Sequence, residues 1–563
     1  MRLLPRLSIL VLLTLVGLAG CDEQSTTDGG VDGGMGADAQ VPDDGSAPDA
    51  SRPPCTDSAA VCAEVAAAAT AAEMETLRDD TAALFRFLEA MPKGGDLHNH
   101  LSGAVYAEDY LDWAQEGSFC IATGGSNPLA LSSSCSADGR EDVPDDEDEL
   151  YGDVVRAWSM LDFVPTPSRS GRDHFFSTFG KFGIISGREH PRMMAAVRRS
   201  AAAENVVYLE PMLTTNSRAR NLGEDVWDAG HTGSIGEDDF AEFHAEILAA
   251  SDFGSARARY VDDARETRDE SDMELRCGTD AAEAGCNVAF RFQEYISRSG
   301  GMPGVFAQMV VAYEAAREEP LIVGLNLVGP EDSSGARRQY DLQMAMLGYL
   351  RTYYVESGLS PLRLSLHAGE LTPEFVPSTY ALNEENHIRE AVLTAGADRI
   401  GHGIDITYES DPAGLFTLLR ERDVLVEICL ASNDIILEVS GDAHPLDAYL
   451  EAGVPIAFAT DDPGVARSSL TAELFRAVAD QGMTYEELTT AARASLHYSF
   501  MQGDSLFTDL ANATPVADCT PADGETWLSA PLSAECNTFL ATHGRARMQY
   551  EFERRRLMFE AAR

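Results

Sequence analysis

Positive charge is what this sequence has least of. Against 92 aspartates and glutamates stand 42 lysines and arginines, and only Lys93 and Lys181 are lysines. A formal charge of −50 repels polyanions, which argues against nucleic acid or an anionic membrane face as a partner. Long apolar runs are scarce too. The N-terminal one, in "MRLLPRLSILVLLTLVGLAGC", ends near Gly20 and falls short of the ~20 residues a spanning helix needs. Preceded by Arg2 and Arg6, it reads as an export signal. With 44% hydrophobic and 24% charged residues over 563 positions, the remainder is globular in composition.

The "LAGC" that closes the apolar run, Leu18 to Cys21, resembles the lipobox of bacterial lipoproteins. That resemblance implies removal of residues 1–20 as a signal peptide and lipidation of Cys21, which becomes the mature N-terminus. Residues 21–54 are acidic, rich in Gly, Pro, Ser and Ala, and lack apolar periodicity, so they are expected to be a disordered linker. The chain is therefore expected to be exported and anchored to the bacterial envelope through lipid alone. The cysteines agree with export. Setting aside Cys21 and Cys429, eight of the ten fall into near neighbours: Cys55 with Cys62, Cys120 with Cys135, Cys277 with Cys286, Cys519 with Cys536. Local pairing of each couple in an oxidising compartment is the expectation.

Beyond a helix expected over Glu64 to Ala90, short apolar runs alternate with helical stretches. Eight runs have the length and boundaries of buried strands: 95–102, 206–213, 288–296, 321–329, 362–369, 398–406, 424–432 and 455–462. Segments such as "HIREAVLTAGA", "AGLFTLLRERD" and "HPLDAYLEAG" have helical spacing between them. Eight β-then-α units predict an α/β fold, a (β/α)8 TIM barrel within residues 55–563, although a doubly wound sheet uses the same alternation. Residues 107–205 and 214–287 exceed ordinary loop lengths and read as insertions after strands one and two, the first carrying the acidic run "EDVPDDEDEL".

Ionisable residues collect where these strands end. In "GDLHNH" a strand puts His98 and His100 on one face with Cα atoms roughly 6.5–7 Å apart, a spacing at which two imidazoles can share a metal ion. Strand five ends with His367 and then Glu370, strand six with His402, and strand eight with Asp461 and Asp462. Singly, each has an ordinary explanation, such as a hydrogen-bonded core imidazole or a helix cap. Seven such groups converging on one barrel mouth are hard to explain as structure, because buried charge needs partners.

The segments "MPKGGDLHNHLSGA", "LHAGE", "RIGHG" and "FATDDPG" resemble, in order and spacing, the signatures of the adenosine/AMP deaminase family of the amidohydrolase superfamily. "GLNLVGPED", "HFFSTF" and "HPLDAYLEAGVPI" add to the likeness, which leans towards the secreted, growth-factor-related subgroup. The resemblance implies one Zn²⁺ per chain held by His98, His100, His367 and Asp461, a donor set suited to zinc. It implies that Glu370 protonates purine N1, that His402 orients and helps deprotonate the attacking water and stabilises the developing oxyanion, and that Asp462 binds that water and the N7 side of the purine. Gly329 would lie against the purine ring. Many relatives carry an acid at the position of Ser102, where it binds the ribose 5′-hydroxyl, and an acid is common at Asn326. Both departures are expected to bear on nucleoside recognition and to leave the purine chemistry intact.

The expected activity is hydrolytic deamination of adenosine or 2′-deoxyadenosine, with a small purine nucleoside as partner. Competing readings are a deaminase of another 6-aminopurine such as adenine or a modified adenosine, a zinc hydrolase of the wider superfamily, and a non-catalytic purine-binding envelope lipoprotein. The complete set of Glu370, His402, Asp461 and Asp462 counts against the last, since a binding scaffold has no physical need for so costly a cluster of charge.

Overall fold

The computed structural model describes residues 55–213, 216–510 and 512–563. The apolar N-terminal run, Cys21 and the acidic 21–54 segment lie outside the described residues.

Eight parallel strands form the central sheet: β1 (Gly94–His100), β2 (Val206–Met212), β3 (Phe292–Ser297), β4 (Ile322–Val328), β5 (Arg363–Ala368), β6 (Arg399–His402), β7 (Leu425–Ile428) and β8 (Ile456–Phe458). They pair in sequence order. The sheet closes where Asn99 bridges Asp461: His100 N–H donates to Asp461 O at 2.8 Å, and Asp461 N–H to His98 O at 2.9 Å. The architecture is the expected (β/α)8 barrel, and its closing seam joins the two segments that carry His98, His100 and Asp461.

The strands were expected as near-continuous apolar runs because a parallel sheet is covered on both faces, and all residues of β1, β2 and β4 are buried. The last three strands stop earlier than the apolar pattern does. β6 gives way to a 3₁₀ turn at Ile404–Thr407 and β7 to a helix at Leu430–Leu437, both still apolar because Ile404, Ile406, Leu430, Ile436 and Leu437 are buried. The single helix expected over Glu64 to Ala90 is two, Ala59–Leu77 and Thr81–Ala90. Asp80 makes the break: its carboxylate accepts from Ala83 N–H at 3.0 Å and caps the second helix.

The first insertion holds helices Ala107–Glu116, Glu149–Trp158, Gly171–Ser186 and His190–Ala203 with a small antiparallel sheet. The second holds Ser217–Gly230, Phe240–Ala249 and Phe253–Glu274. All four local disulfides are present, Cys55–Cys62, Cys120–Cys135, Cys277–Cys286 and Cys519–Cys536, and Cys429 is a buried free thiol. Among the described residues no helix is long and apolar enough to cross a membrane.

Candidate metal centre and active site

The barrel interior beneath the mouth is charged, where apolar layers are the norm. Arg399 of β6 is fully buried, with Nη2 2.7 Å from Glu210 Oε2 of β2 and Nε 2.6 Å from Glu427 Oε1 of β7. Its guanidinium lies 3.6 Å from the centroid of the Phe500 ring. Burial pushes the Glu427 carboxyl up, but Arg399 and the His98 hydrogen bond overcome that and hold it below its ordinary value. Glu427 therefore stays ionised, also accepts from Ser365 Oγ at 2.9 Å, and takes a 2.7 Å hydrogen bond from His98 Nδ1. That bond turns the His98 Nε2 lone pair towards the mouth.

Three further groups meet it there. His367 Nε2 lies 3.1 Å from His98 Nε2 and 3.3 Å from His100 Nε2, and Asp461 Oδ1 lies 3.1 Å from His100 Nε2 and 3.5 Å from His98 Nε2. All four ligand atoms fall within 4.8 Å of one another. Metal bonds of about 2.0–2.1 Å in a tetrahedral arrangement place ligand atoms roughly 3.3 Å apart, which is the spacing seen. Three imidazole nitrogens facing a carboxylate across one small volume require positive charge between them. The cluster already calls for it: burial disfavours the imidazolium of His98, yet Asp461 and Glu427 raise its pKa to about 10. A divalent cation meets the same demand, and the donor set of three imidazoles and one carboxylate fits zinc.

His367 and Asp461, like His98, are fixed from behind. Asn326 of β4 accepts from His367 twice, from the backbone N–H at 3.0 Å and from Nδ1–H at 2.8 Å. Expected to bear on nucleoside recognition, Asn326 instead sits fully buried behind a metal-ligand candidate. Ser432 Oγ donates to Asp461 Oδ2 at 2.6 Å. Asp461 and His402 both adopt left-handed backbone, φ 60° and 67°, which strand ends seldom use. Such strain persists where surrounding contacts over-determine it and concentrates at functional sites.

Glu370, His402 and Asp461 bring ligand atoms within 4.8 Å of one another, so the expected acid and imidazole adjoin the metal ligands. Burial, then the nearby Asp461 and Glu331 carboxylates, raise Glu370 well above the usual carboxylate range, which favours its protonated form. Glu331, immediately past the Gly329–Pro330 turn, also accepts from the backbone N–H groups of Gly369 and Glu370 at 3.0 and 2.9 Å and hydrogen-bonds His387. It thereby sets the loop from which Glu370 projects. Burial lowers His402 to about 4, leaving a neutral ring. Burial and the adjacent Asp461 raise Asp462 well above the usual range. Asp462 Oδ1 and His402 Nε2 have no hydrogen-bond partner among the described residues.

Gly103 explains the "LSGA" turn. A Cβ there would fall 1.5 Å from Asp462 Oδ1, so only glycine lets this carboxyl sit beside β1. Ser102 lies half-buried in the same turn, its carbonyl accepting from Tyr110 Oη at 2.8 Å. Gly329 has φ 116°, a conformation open to glycine and strained for other residues. Beside it Arg298, almost fully buried, donates from Nη2 to Leu327 O at 2.6 Å and to His367 O at 3.2 Å, tying the ends of β4 and β5 together. His174 of "HFFSTF" lies in the Gly171–Ser186 helix, with Nε2 2.9 Å from Ser159 O, and takes no part in the cluster.

The comparison with protein families bears on this arrangement. Residues 269–508 match the family model described as adenosine deaminase. His367, Glu370, His402, Asp461 and Asp462 fall inside that span, whereas His98 and His100 lie outside it and rest on the geometry above. Curated relatives include adenosine deaminase 2 of Dictyostelium discoideum, 30% identical over 238 residues, 41% of this chain and 38% of that one. Another is the adenosine deaminase of Serratia proteamaculans, 36% identical over 141 residues, 25% of this chain and 38% of that one. The chain thus spans less than two-fifths of the length of either relative. Among solved structures, Arabidopsis ADAL complexed with IMP is similar at 20% identity and a TM-score of 0.45, covering 74% of this chain and 94% of that one.

Proposed function

We propose that this chain is a zinc-dependent hydrolytic deaminase of 6-aminopurines, with adenosine and 2′-deoxyadenosine as its substrates. The observation that carries the reading is the buried Glu370, its carboxyl pushed towards the protonated form, set beside His402 and the His98, His100, His367 and Asp461 cluster. A metal ligand set alone would serve many hydrolases. A carboxylic acid kept neutral next to it serves a reaction that begins by protonating a weakly basic ring nitrogen.

His98, His100, His367 and Asp461 would hold the zinc. When bound, zinc makes a water molecule acidic enough to lose a proton near neutral pH and stabilises negative charge on its oxygen. Glu370 gives its proton to N1, which makes C6 electrophilic. Asp462, pushed by burial and Asp461 towards its neutral form, donates to N7 and fixes the ring, while His402 Nε2 faces the attacking oxygen. The oxygen bonds to C6. The C6–N6 bond then breaks and the amino group leaves as ammonia, taking the added oxygen's remaining proton and leaving a 6-oxopurine. Glu370 regains its proton from solvent.

The four disulfides support work in an oxidising compartment. The lipobox-like "LAGC" supports tethering at the envelope through Cys21. The test is a panel of adenosine, 2′-deoxyadenosine, adenine and N6-modified adenosines given to the zinc-loaded full chain. Ammonia release and the ultraviolet change of oxopurine formation are followed. Turnover of adenosine or deoxyadenosine ahead of the others supports the assignment. Turnover of adenine ahead of both moves the substrate to the free base, and no turnover of any aminopurine overturns the reading.

A further inference from the structure

A chain of buried donors and acceptors leads into His402 from the side away from the metal ligands. It begins at a group whose direction is not in question: Leu446 N–H donates to His444 Nδ1 at 3.1 Å. With its Nδ1 lone pair so used, neutral His444 carries its proton on Nε2, which lies 3.1 Å from Asn433 Oδ1. Burial lowers His444 to about 3 and keeps the ring neutral. An Asn433 that accepts through Oδ1 faces outward with its amide nitrogen, and Nδ2 lies 3.0 Å from His402 Nδ1. An amide nitrogen has only hydrogens to offer, so His402 Nδ1 must be the acceptor. The order of polarity, set by one backbone N–H at the start of the Leu446–Ala452 helix, therefore leaves the His402 proton on Nε2. His402 and Asn433 are fully buried and His444 nearly so.

We propose that Asn433 and His444 are positioning residues that lock His402 as its Nε2–H tautomer, so that it presents a hydrogen-bond donor to the oxygen adding to C6. Resting on the deaminase reading above, this makes His402 a stabiliser of charge on that oxygen. It is not a base that removes the water's proton, because Nε2 has no free lone pair. A protonated His402 is disfavoured for the same reason, since its Nδ1–H would meet the Asn433 N–H.

The test reads the tautomer directly. Nitrogen-15 spectra of the histidine-labelled, zinc-loaded full chain, with His402 assigned from the H402N variant, are expected to show a bare Nδ1 and a protonated Nε2. Asn433→Asp turns the partner into an acceptor only. It should move a proton onto Nδ1 and lower kcat about 100-fold with KM within about twofold, the size expected for losing one donor to the transition state. His444→Gln keeps an acceptor for Leu446 N–H and a donor for Asn433, and should retain the wild-type His402 signals. A His402 carrying its proton on Nδ1 in the wild type overturns the proposal, as does an unchanged tautomer and kcat in Asn433→Asp. Should Asn433→Asp not fold, the wild-type spectrum decides alone. Because the spectrum needs no substrate, failure of purine turnover would remove the deaminase reading without obscuring the tautomer.

Discussion

His98 is tied to Glu427 by a 2.7 Å hydrogen bond between two fully buried side chains, so the candidate metal ligand on β1 is aimed by a carboxylate on β7. Such a partner fixes the ring and raises its basicity towards a metal. Glu427→Gln keeps the shape and removes the charge, and it should weaken zinc binding about 10–100-fold, read by competition with a chromophoric chelator. Unchanged affinity would remove Glu427 from the account.

Asn326 gives a prediction of the opposite sign. Its Oδ1 already takes both hydrogen bonds from His367, while its Nδ2 is buried with no partner among the described residues. Asn326→Asp keeps both bonds, removes the unpartnered amine and adds charge behind the ligand. Zinc affinity should rise about 10-fold in the same competition. A fall would mean that burying another charge outweighs the gain at His367.

Glu370 and His98 separate chemistry from metal binding. Glu370→Gln loses the acid proton while its neighbours stay, so zinc content should be unchanged and kcat should drop by at least about 10²–10⁴-fold. His98→Ala should lose the metal. Elemental analysis of both purified variants checks this, and zinc retained in His98→Ala would contradict the ligand assignment.

Glu294 of β3 carries a pH prediction remote from the chemistry. It is fully buried, neither carboxyl oxygen has a hydrogen-bond partner among the described residues, and burial, then Asp263, raises it well above the ordinary value. Between its unfolded and folded pKa values the native state binds more protons, so its contribution to stability is full below the unfolded value and is lost as pH rises through the folded one. Glu294→Gln cannot titrate. Its melting temperature relative to wild type should therefore improve steadily from about pH 5 to about pH 8. A difference independent of pH would contradict the assignment.

The disulfides are open to peptide mapping without reduction, which should return the four local pairs with Cys429 as a free thiol. Cys519–Cys536 anchors a small apolar cluster that includes Leu506, Phe507, Leu540 and Ala546. Replacing both cysteines with alanine should cost about 2–4 kcal/mol in denaturant unfolding.

Much of the site was legible because it sits where sequence signals are strongest. Each of the eight apolar runs overlaps a real strand, although the last three strands end about four residues before their runs do, and histidines and acids follow at the mouth. What stayed hidden lies inside strands or on their flanking helices. Glu427 in "VLVEICLAS" and Glu210 in "VVYLEPML" are single charges within apolar runs, and Arg399 follows Asp398 at the start of "DRIGHG". They gain meaning only when barrel closure brings β2, β6 and β7 around one axis, although a lone charge in a run otherwise fit for burial was the available signal. Asn326 stands in plain view, but its hydrogen bonds to His367 follow from the register of β4 against β5, which the sequence alone does not give. Asn433 and His444 carry no local signal for their partner, 31 residues from Asn433 at His402.

The account rests on one cation among His98, His100, His367 and Asp461. Anomalous diffraction at the zinc edge from crystals of the zinc-loaded protein tests it most directly. The expected result is a single strong peak about 2.0–2.2 Å from the three Nε2 atoms and an Asp461 oxygen. A peak elsewhere, or none among these four groups at full zinc loading, would contradict it.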